Sequence, residues 1–258
     1  MSLKDFIHAK KQELKILKKA VPLSKLKKQL ENVKNGRDFL GVFKKNSFVL
    51  IAEIKRASPS EGIISEEEDL IRIAKEYKEG GAHVISVLTD KTFFKGDISY
   101  IPKIKEAVPL PILRKDFIID KYQIYESKVY GADAILLIAG ALTKRRLEGF
   151  IDLSNILEMK CLVEIHNEKE LKKILEISDK IDIIGVNNRN LNTLKTDLSV
   201  IENLREKIPR DKIVISESGI KDINDVERVK KLNINGILTG TSLMKSENKI
   251  LAIKNLLA

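Results

Sequence analysis

The sequence contains no tryptophan, one cysteine and no apolar run close to the roughly 20 residues that a membrane-spanning helix needs. A single cysteine excludes an internal disulfide framework and is typical of a reducing compartment. The N-terminus, MSLKDFIHAKKQEL, also lacks the apolar core of a signal peptide. We therefore expect a cytoplasmic protein with no membrane partner.

The sequence also lacks any helix-turn-helix, zinc-finger or aromatic RNA-binding signature. Its formal net charge of +10 nevertheless raises nucleic-acid binding as a possibility, because cationic surfaces attract polyanions. The lysines are spread along most of the predicted helices rather than gathered in one arm. We expect a solvated lysine surface and no nucleic-acid partner. A non-catalytic basic scaffold that binds RNA or acidic partners is the alternative.

Apolar runs alternate regularly with amphipathic segments along most of the 258 residues. Residues 1–47 predict a helical N-terminal extension, and residues 48–258 predict eight strand–helix units. Strict alternation over this length favours the α/β class and a single (β/α)8 TIM barrel. The predicted strands are 48–54, 84–88, 111–115, 134–139, 160–165, 182–187, 212–217 and 236–239. The predicted helices lie near 66–79, 98–107, 120–130, 144–158, 168–177, 198–207, 222–231 and 247–257.

An open, doubly wound parallel sheet is the alternative fold. Its Gly-rich dinucleotide turn should follow the first strand, but the sequence there is KRASPSEG. No second domain boundary and no low-complexity linker is visible. The closed barrel is therefore preferred.

Several predicted strands end in charged or amide side chains. In FVLIAEIKRASPS, Glu53 and Lys55 share the face of Val49 and Ile51, because side chains alternate along a strand. Ligands bind at the carboxyl ends of barrel strands, so such residues should meet at one mouth. Ion pairs that only fix strand register are the alternative for any one of them, but a cluster of opposed charges more often indicates chemistry. The expected mouth residues are Glu53, Lys55, Lys115, Glu164, Asn187, Arg189 and Glu217.

Two other residues of the fifth strand region have different expectations. Cys161 lies an odd number of residues from Glu164 and should face the helical layer as a core residue. His166 could line the mouth, or it could cap or pack at the start of the next helix.

Small residues follow the last two strands. SESGI places Ser218 and Gly219 just before a helix, and LTGTSLM places Gly240, Thr241 and Ser242 after the eighth strand. Such residues leave main-chain N–H groups free to point at an anion, and these two loops commonly bind phosphate in barrels. The two turns together predict a phosphate site.

Eight motifs lie between residues 51 and 244. They are IAEIKRASPS, SVLTDKTFFKG, PILRKDFIID, GADAILLI, LVEIH, IGVNNRNL, SESGI and GILTGTSLM. With these motifs the sequence resembles the indole-3-glycerol phosphate synthase family. Thr241 stands where serine is common and keeps the hydroxyl, and Ser216 replaces a small apolar residue. The resemblance also accounts for the helical extension, which in the family folds toward the active-site mouth.

The resemblance implies a reaction and its catalytic residues. The family closes an indole ring on 1-(2-carboxyphenylamino)-1-deoxyribulose 5-phosphate, releasing carbon dioxide and water, without a metal or organic cofactor. Lys115 is implied as the acid that protonates the ketone oxygen. We expect enclosure and the nearby Lys55 to depress the pKa of Lys115. Glu164 is implied as the base of the dehydration, with either lysine as its acid.

The resemblance also implies the residues that bind this phosphorylated small molecule. Glu53 and Asn187 would position the ribulose hydroxyls, Glu53 could assist proton transfer, and Glu217 would hold another polar group. Lys55 and Arg189 could hold the carboxylate. The anthranilate ring would be enclosed by Phe94, Phe117, Leu136, Leu191, Leu238 and Pro59. The phosphate would be bound by Ser58, Ser218, Gly219, Gly240 and Thr241.

The nearest enzyme alternative is phosphoribosylanthranilate isomerase, another phosphate-binding barrel, which uses a cysteine base at the end of its first strand. Here that strand end holds Glu53, and the one cysteine lies in the fifth strand. The synthase resemblance is therefore preferred, with no metal ligands expected. We expect the chain to act as a monomer.

Overall fold

The structure is a computed structural model that describes residues 2–64, 69–191 and 193–258. Three α-helices precede the first strand. They are α1 (Leu3–Ala20), α2 (Leu23–Gln29) and α3 (Phe39–Lys45). Asp38 caps α3, because its carboxylate accepts a hydrogen bond from the main-chain N–H of Gly41 at 2.8 Å. No helix of the described residues is both long and apolar enough to cross a bilayer.

Within the described ranges, eight parallel strands close into a barrel. They are β1 (Val49–Ile54), β2 (Val84–Leu88), β3 (Ile112–Lys115), β4 (Ala134–Ile138), β5 (Lys160–Ile165), β6 (Ile183–Asn187), β7 (Ile213–Glu217) and β8 (Gly236–Thr239). Each strand pairs with the next in sequence, and β8 closes the ring against β1 with Gly236 opposite Val49. A Cβ at Gly236 would lie 2.2 Å from the Val49 carbonyl oxygen, so closure requires glycine there. The predicted barrel is confirmed, and the open sheet is wrong.

The helices around the barrel follow the predicted order, with ends that differ by a few residues from the predicted bounds. They are α4 (Leu70–Gly80), α5 (Lys91–Phe94), α6 (Tyr100–Ala107), α7 (Lys121–Val129), α8 (Lys144–Ile156), α9 (Glu168–Leu175), α10 (Ser199–Arg205), α11 (Ile223–Lys230), α12 (Thr241–Lys245) and α13 (Lys249–Leu257). Residues 66–68 of the first predicted barrel helix lie outside the described residues. The short helices α5 and α12, and a hairpin of Ala57–Ser58 with Gly62–Ile63, are too short for hydrophobic periodicity to predict.

The alternation of side chains in the strands separates two apolar cores. Val49 and Ile51 of β1 pack inside the barrel, whereas Leu50 and Ala52 pack between the barrel and its helices. Cys161 packs in the outer layer, as predicted, and burial raises the pKa of its thiol to about 12. Inward-facing side chains in the middle of a strand therefore fill the barrel core, whereas inward-facing side chains at its carboxyl end reach the mouth.

Helix α1 is attached to the barrel by a buried cation. The Lys10 ammonium lies 2.9 Å from an Asp90 carboxylate oxygen and 2.8 Å from one of Asp116, with Glu13 at 2.7 Å. Burial would raise the pKa of Asp116, but Lys10 and Arg114 outweigh it and hold that pKa at about 2. Asp90 and Asp116 follow β2 and β3, so this cluster joins the extension to the carboxyl ends of two strands.

An aromatic contact lies beside this cluster. Phe6 of α1 stacks on Phe117 with ring centroids 4.7 Å apart and planes 9° from parallel. The Phe6 ring also contacts the Phe93 ring edge-on, with centroids 4.7 Å apart. Both Phe6 and Phe117 are buried. Helix α1 therefore forms part of the packing at the barrel mouth.

Lys10→Met should lower the free energy of unfolding by about 3 to 5 kcal/mol, because the buried Asp90 carboxylate loses its cation and Asp116 keeps only Arg114. The matched control is Lys18→Met on the same helix, which removes an exposed pair with Asp120 at 2.7 Å. An exposed pair contributes less than about 1 kcal/mol. Urea unfolding measures both variants, and equal losses would contradict the anchoring role of Lys10.

Candidate active site

A cavity of about 440 Å³ opens at the carboxyl ends of the strands. Strand ends and the loops that follow them form its wall, which is where (β/α)8 barrels bind ligands. All of the site residues predicted from the sequence line this cavity except Glu217. The structure therefore brings together residues from positions 53 to 241 of the chain.

Glu217 lies beneath the cavity rather than in its wall. Its side chain is fully buried, and its Oε2 lies 3.1 Å from the Lys115 ammonium. Gly185 of β6 leaves the space that this carboxyl occupies, because a Cβ there would lie 2.0 Å from Glu217 Oε1. In this position Glu217 contacts Lys115 from below.

Lys115 is held between two carboxyl groups at the end of β3. Its ammonium donates to Glu164 Oε2 at 3.1 Å and to Glu217 Oε2 at 3.1 Å. Burial alone would lower the pKa of Lys115, but the carboxylates of Glu164, Glu217 and Glu53 outweigh burial and raise it above its ordinary value. The expected depression of this pKa is therefore wrong, because Lys115 has several acidic neighbours and Lys55 is itself paired with Glu53.

Glu164 and Glu217 share one cation and have opposite protonation preferences. Burial would raise the pKa of Glu164, but Lys115 and His166 outweigh it and hold the pKa well below its usual range. Burial, opposed by Lys115 and aided by the Glu164 charge, raises the pKa of Glu217 to about 8. Like charges in a dry site cannot both ionise easily. Glu164 is thus the carboxylate, and Glu217 tends to keep its proton near neutral pH.

A second acid–base pair lies at the end of β1. The Lys55 ammonium donates to Glu53 Oε1 at 2.6 Å, and both side chains are largely buried. Gly240, in the loop after β8, packs directly against Glu53, since a Cβ there would lie 2.7 Å from Oε1. The carboxyl end of β1 and the loop after β8 therefore meet at this pair.

His166 follows β5 and contacts Glu164 rather than the cavity. Its Nε2 lies 3.2 Å from Glu164 Oε1, and its Nδ1 lies 3.2 Å from Glu170 Oε2. Of the two interpretations left open by the sequence, packing near the start of the next helix fits, because Glu170 belongs to α9. The additional contact with Glu164 was not predicted.

The other predicted polar residues lie after β6. Asn187 is buried, and its Oδ1 accepts a hydrogen bond from the main-chain N–H of Arg189 at 3.0 Å. The Arg189 guanidinium donates to Ser60 Oγ at 2.9 Å and to the Leu194 carbonyl oxygen at 3.0 Å. Arg189 therefore bridges the loops after β6 and β1 at the cavity wall.

The cavity is lined by a set of apolar residues and a set of small residues. The apolar residues include Phe94, Phe117, Leu136, Leu191, Leu238 and Pro59, joined by Leu88 and Ile138. Among the small residues, Ser218 and Gly219 adopt positive φ angles of 63° and 87°, which turn the chain sharply after β7. Other small residues of the lining include Ser58, Gly240 and Thr241, joined by Ser242.

Several lining residues were not predicted from the sequence, among them Asp116, Thr196 and Lys221. Asp116 sits beside Lys115 in RKDF, but a strand-face argument assigns it to the opposite side. Lys221 and Thr196 lie in loops, where periodicity gives no signal. Lys221 could have been predicted as a phosphate-binding residue, because it is a cation next to a turn predicted to bind phosphate.

The described residues contain no group of three or more His, Cys, Asp or Glu side chains that could hold a metal ion. The fold and the site together define a (β/α)8-barrel enzyme with paired lysines and carboxylates and a turn suited to phosphate. The family model described as indole-3-glycerol phosphate synthase matches residues 3–256. The chain belongs to this family, which excludes the isomerase and scaffold alternatives.

Individual relatives agree with this assignment. The indole-3-glycerol phosphate synthase of Acetivibrio thermocellus is 46% identical over 251 residues, covering 96% of both chains. That of Caldanaerobacter subterraneus is 47% identical over 247 residues, covering 96% of this chain and 94% of the relative. Among solved structures, 3-hexulose-6-phosphate synthase from Salmonella typhimurium has a TM-score of 0.66 at 13% identity, covering 81% of this chain and 96% of that one. That likeness supports the barrel fold.

Gly185→Ala should lower the free energy of unfolding by about 1 to 3 kcal/mol, because the added methyl group displaces the buried Glu217 carboxyl. The control is Gly149→Ala in α8, where a Cβ meets nothing within 4 Å. Helix propensity predicts a gain of about 0.5 to 1 kcal/mol there. Denaturant unfolding of both variants tests the packing, and an unchanged stability for Gly185→Ala would contradict it.

Proposed function

We propose that Lys115 and Glu164 carry the acid–base chemistry of the ring closure that defines this family. The enzyme is a carboxy-lyase of tryptophan biosynthesis and acts on a phosphorylated small molecule. It converts 1-(2-carboxyphenylamino)-1-deoxyribulose 5-phosphate to indole-3-glycerol phosphate. The observation that carries the proposal is the Lys115 ammonium, held 3.1 Å from both Glu164 and Glu217 at the cavity floor.

Lys115 is the acid of the first step. A ring carbon attacks the ribulose ketone, a carbon–carbon bond forms, and the ketone oxygen takes a proton from the Lys115 ammonium. The raised pKa of Lys115 keeps it protonated in the free enzyme, so the proton is present before substrate binds. The alkoxide that develops is a stronger base than an amine, so the transfer is favourable. Loss of carbon dioxide then restores the aromatic ring.

Glu164 is the base of the dehydration. The new hydroxyl group leaves as water after protonation by Lys55 or Lys115, and the carboxylate of Glu164 accepts a proton from the ring system. Its lowered pKa keeps the carboxylate ionised in the free enzyme, so it is free of a proton when substrate binds. Glu217 supports Lys115 from below, and Glu53 with Asn187 would orient the ribulose hydroxyls.

The remaining lining residues would bind the ends of the substrate. Arg189, together with Lys55, would hold the carboxylate, because a guanidinium can pair with it through two hydrogen bonds. The six apolar side chains predicted from the sequence would enclose the aromatic ring. The turns after β7 and β8, with Ser58, would bind the phosphate through main-chain N–H groups and hydroxyls, and Lys221 would add a positive charge.

The organisation that we propose is a helical extension of residues 1–47 packed on a barrel of residues 48–258. The contacts of Lys10 and Phe6 with the mouth support it. We further propose that the chain works in the cytoplasm as a monomer and needs no metal or organic cofactor.

Lys115→Ala and Glu164→Ala should each lower kcat by roughly 10² to 10⁴, the usual scale for a lost general acid or base. The matched control is Lys160→Ala, at the opposite end of the strand that carries Glu164, where Lys160 forms a partly exposed pair with Asp182 at 3.5 Å. Steady-state rates of indole-3-glycerol phosphate formation measure all three. Turnover equal to the control would remove the substituted residue from the mechanism.

Thr241→Val should raise KM roughly 10- to 100-fold with little change in kcat, because a hydrogen bond to a charged group is lost in both ground and transition states. Thr241→Ser keeps the hydroxyl and serves as the control. Saturation kinetics separate the two parameters. A fall in kcat with constant KM would contradict a role in phosphate binding.

A further inference from the structure

The imidazole ring of His166 connects the proposed base to a second carboxylate. Nε2 lies 3.2 Å from Glu164 Oε1 and Nδ1 lies 3.2 Å from Glu170 Oε2. The contact of Nδ1 with Glu170 has hydrogen-bond geometry, whereas Nε2 only lies close to the Glu164 carboxylate. Negative charge beside both ring nitrogens favours the doubly protonated, cationic ring.

Glu170 is itself fixed in place. Its Oε2 accepts a hydrogen bond from the main-chain N–H of His166 at 2.9 Å, and its Oε1 accepts one from the Asn167 side chain at 3.0 Å. A Cβ at Gly140 would lie 2.7 Å from Glu170 Oε1, so the loop after β4 packs against the same carboxylate. The partner that orients the imidazole ring therefore has little freedom to move.

The ring is placed to act on Glu164 and not on the substrate. The His166 side chain is 10% exposed and does not line the cavity, whereas Glu164 does. Glu164 uses its other oxygen, Oε2, to bind Lys115. Each carboxylate oxygen of Glu164 thus has its own cationic neighbour, which fixes the rotation of the carboxylate plane as well as its charge.

We propose that His166 is a positioning residue for Glu164: as an imidazolium held by Glu170, it keeps the Glu164 carboxylate ionised and oriented for proton transfer. The catalytic consequence rests on the proposed function, in which Glu164 is the base. The charged groups that face His166 are Glu164 from β5 and Glu170 from α9. Lys173, also on α9, acts on the Glu170 charge from further away.

The electrostatic balance agrees with the geometry. Burial disfavours the cation, but the two carboxylates outweigh burial and raise the pKa of His166 to about 10. In the folded chain the ring therefore stays charged through neutral pH and loses its proton only as the pH rises through that value. The same interaction with His166 contributes to the lowered pKa of Glu164.

The charge on the ring can be measured without turnover. The chain has three histidines, so the full-length protein labelled with 15N-histidine gives three ring signals, and His166→Asn identifies one of them. We expect imidazolium shifts for His166 at pH 8.5. His83 accepts a hydrogen bond from the main-chain N–H of Leu50 and has a pKa lowered by burial, so it should be neutral there. A neutral His166 ring at pH 8.5 would overturn the proposal.

The pH dependence of kcat tests the consequence for Glu164. Loss of the imidazolium raises the pKa of Glu164, so the acid limb of the profile in His166→Asn should move to higher pH by about 1 unit or more. Glu170→Gln should move it by less, because the ring remains. His83→Asn, remote from the mouth, is the matched control and should not move it. An unmoved acid limb in His166→Asn would overturn the positioning role.

Two further outcomes keep the result decisive. If His166→Asn does not fold, the wild-type ring signal and the Glu170→Gln profile decide, and a neutral ring or an unmoved limb overturns the proposal. If the wild-type protein shows no synthase turnover, the proposed function fails, and the role given to His166 fails with it even when the ring is charged. A neutral ring in an active enzyme defeats only the inference about His166.

Discussion

The pairing of one lysine with two buried glutamates at the barrel mouth is the constraint on which the rest of the site depends. Glu53, Lys115, Glu164 and Glu217 come from β1, β3, β5 and β7, and in this fold alternate strands contribute the side chains of one layer. A layer of mixed charges is costly to bury unless its members satisfy one another. The closed strand register therefore fixes these four side chains, and Gly185 provides the space for one of them.

Outside this layer, further ion pairs support the same end of the barrel. Lys10 neutralises Asp90 and Asp116 beside the Lys115 strand end, and His166 places a second cation against Glu164. The substrate brings a carboxylate and a phosphate, so cations at the rim suit it, while carboxylates at the floor suit proton transfer. In this account the helical extension and the helix after β5 both help to set the charges of the mouth.

The sequence predicted the barrel well because its signals are local. Apolar runs ending in Glu53, Lys115, Glu164 or Glu217 indicate both the strand and the face that reaches the mouth. The contacts between side chains far apart in the sequence could not be predicted. Lys10 and Asp116 are 106 positions apart, and Glu217 lies under Lys115 only after the barrel closes. The pKa of Lys115 was predicted in the wrong direction for the same reason, because the sequence names a nearby cation but not the surrounding carboxylates.

The most direct test of the account is turnover of the carboxyphenylamino-deoxyribulose phosphate by the purified full-length chain in buffer containing a chelator, followed by indole fluorescence. The chain has no tryptophan, so emission would come from product alone. We predict emission that rises with time and with enzyme concentration, and whose rate falls roughly 10²- to 10⁴-fold in Lys115→Ala. A flat trace from folded protein, alongside an active authentic synthase, would contradict the account.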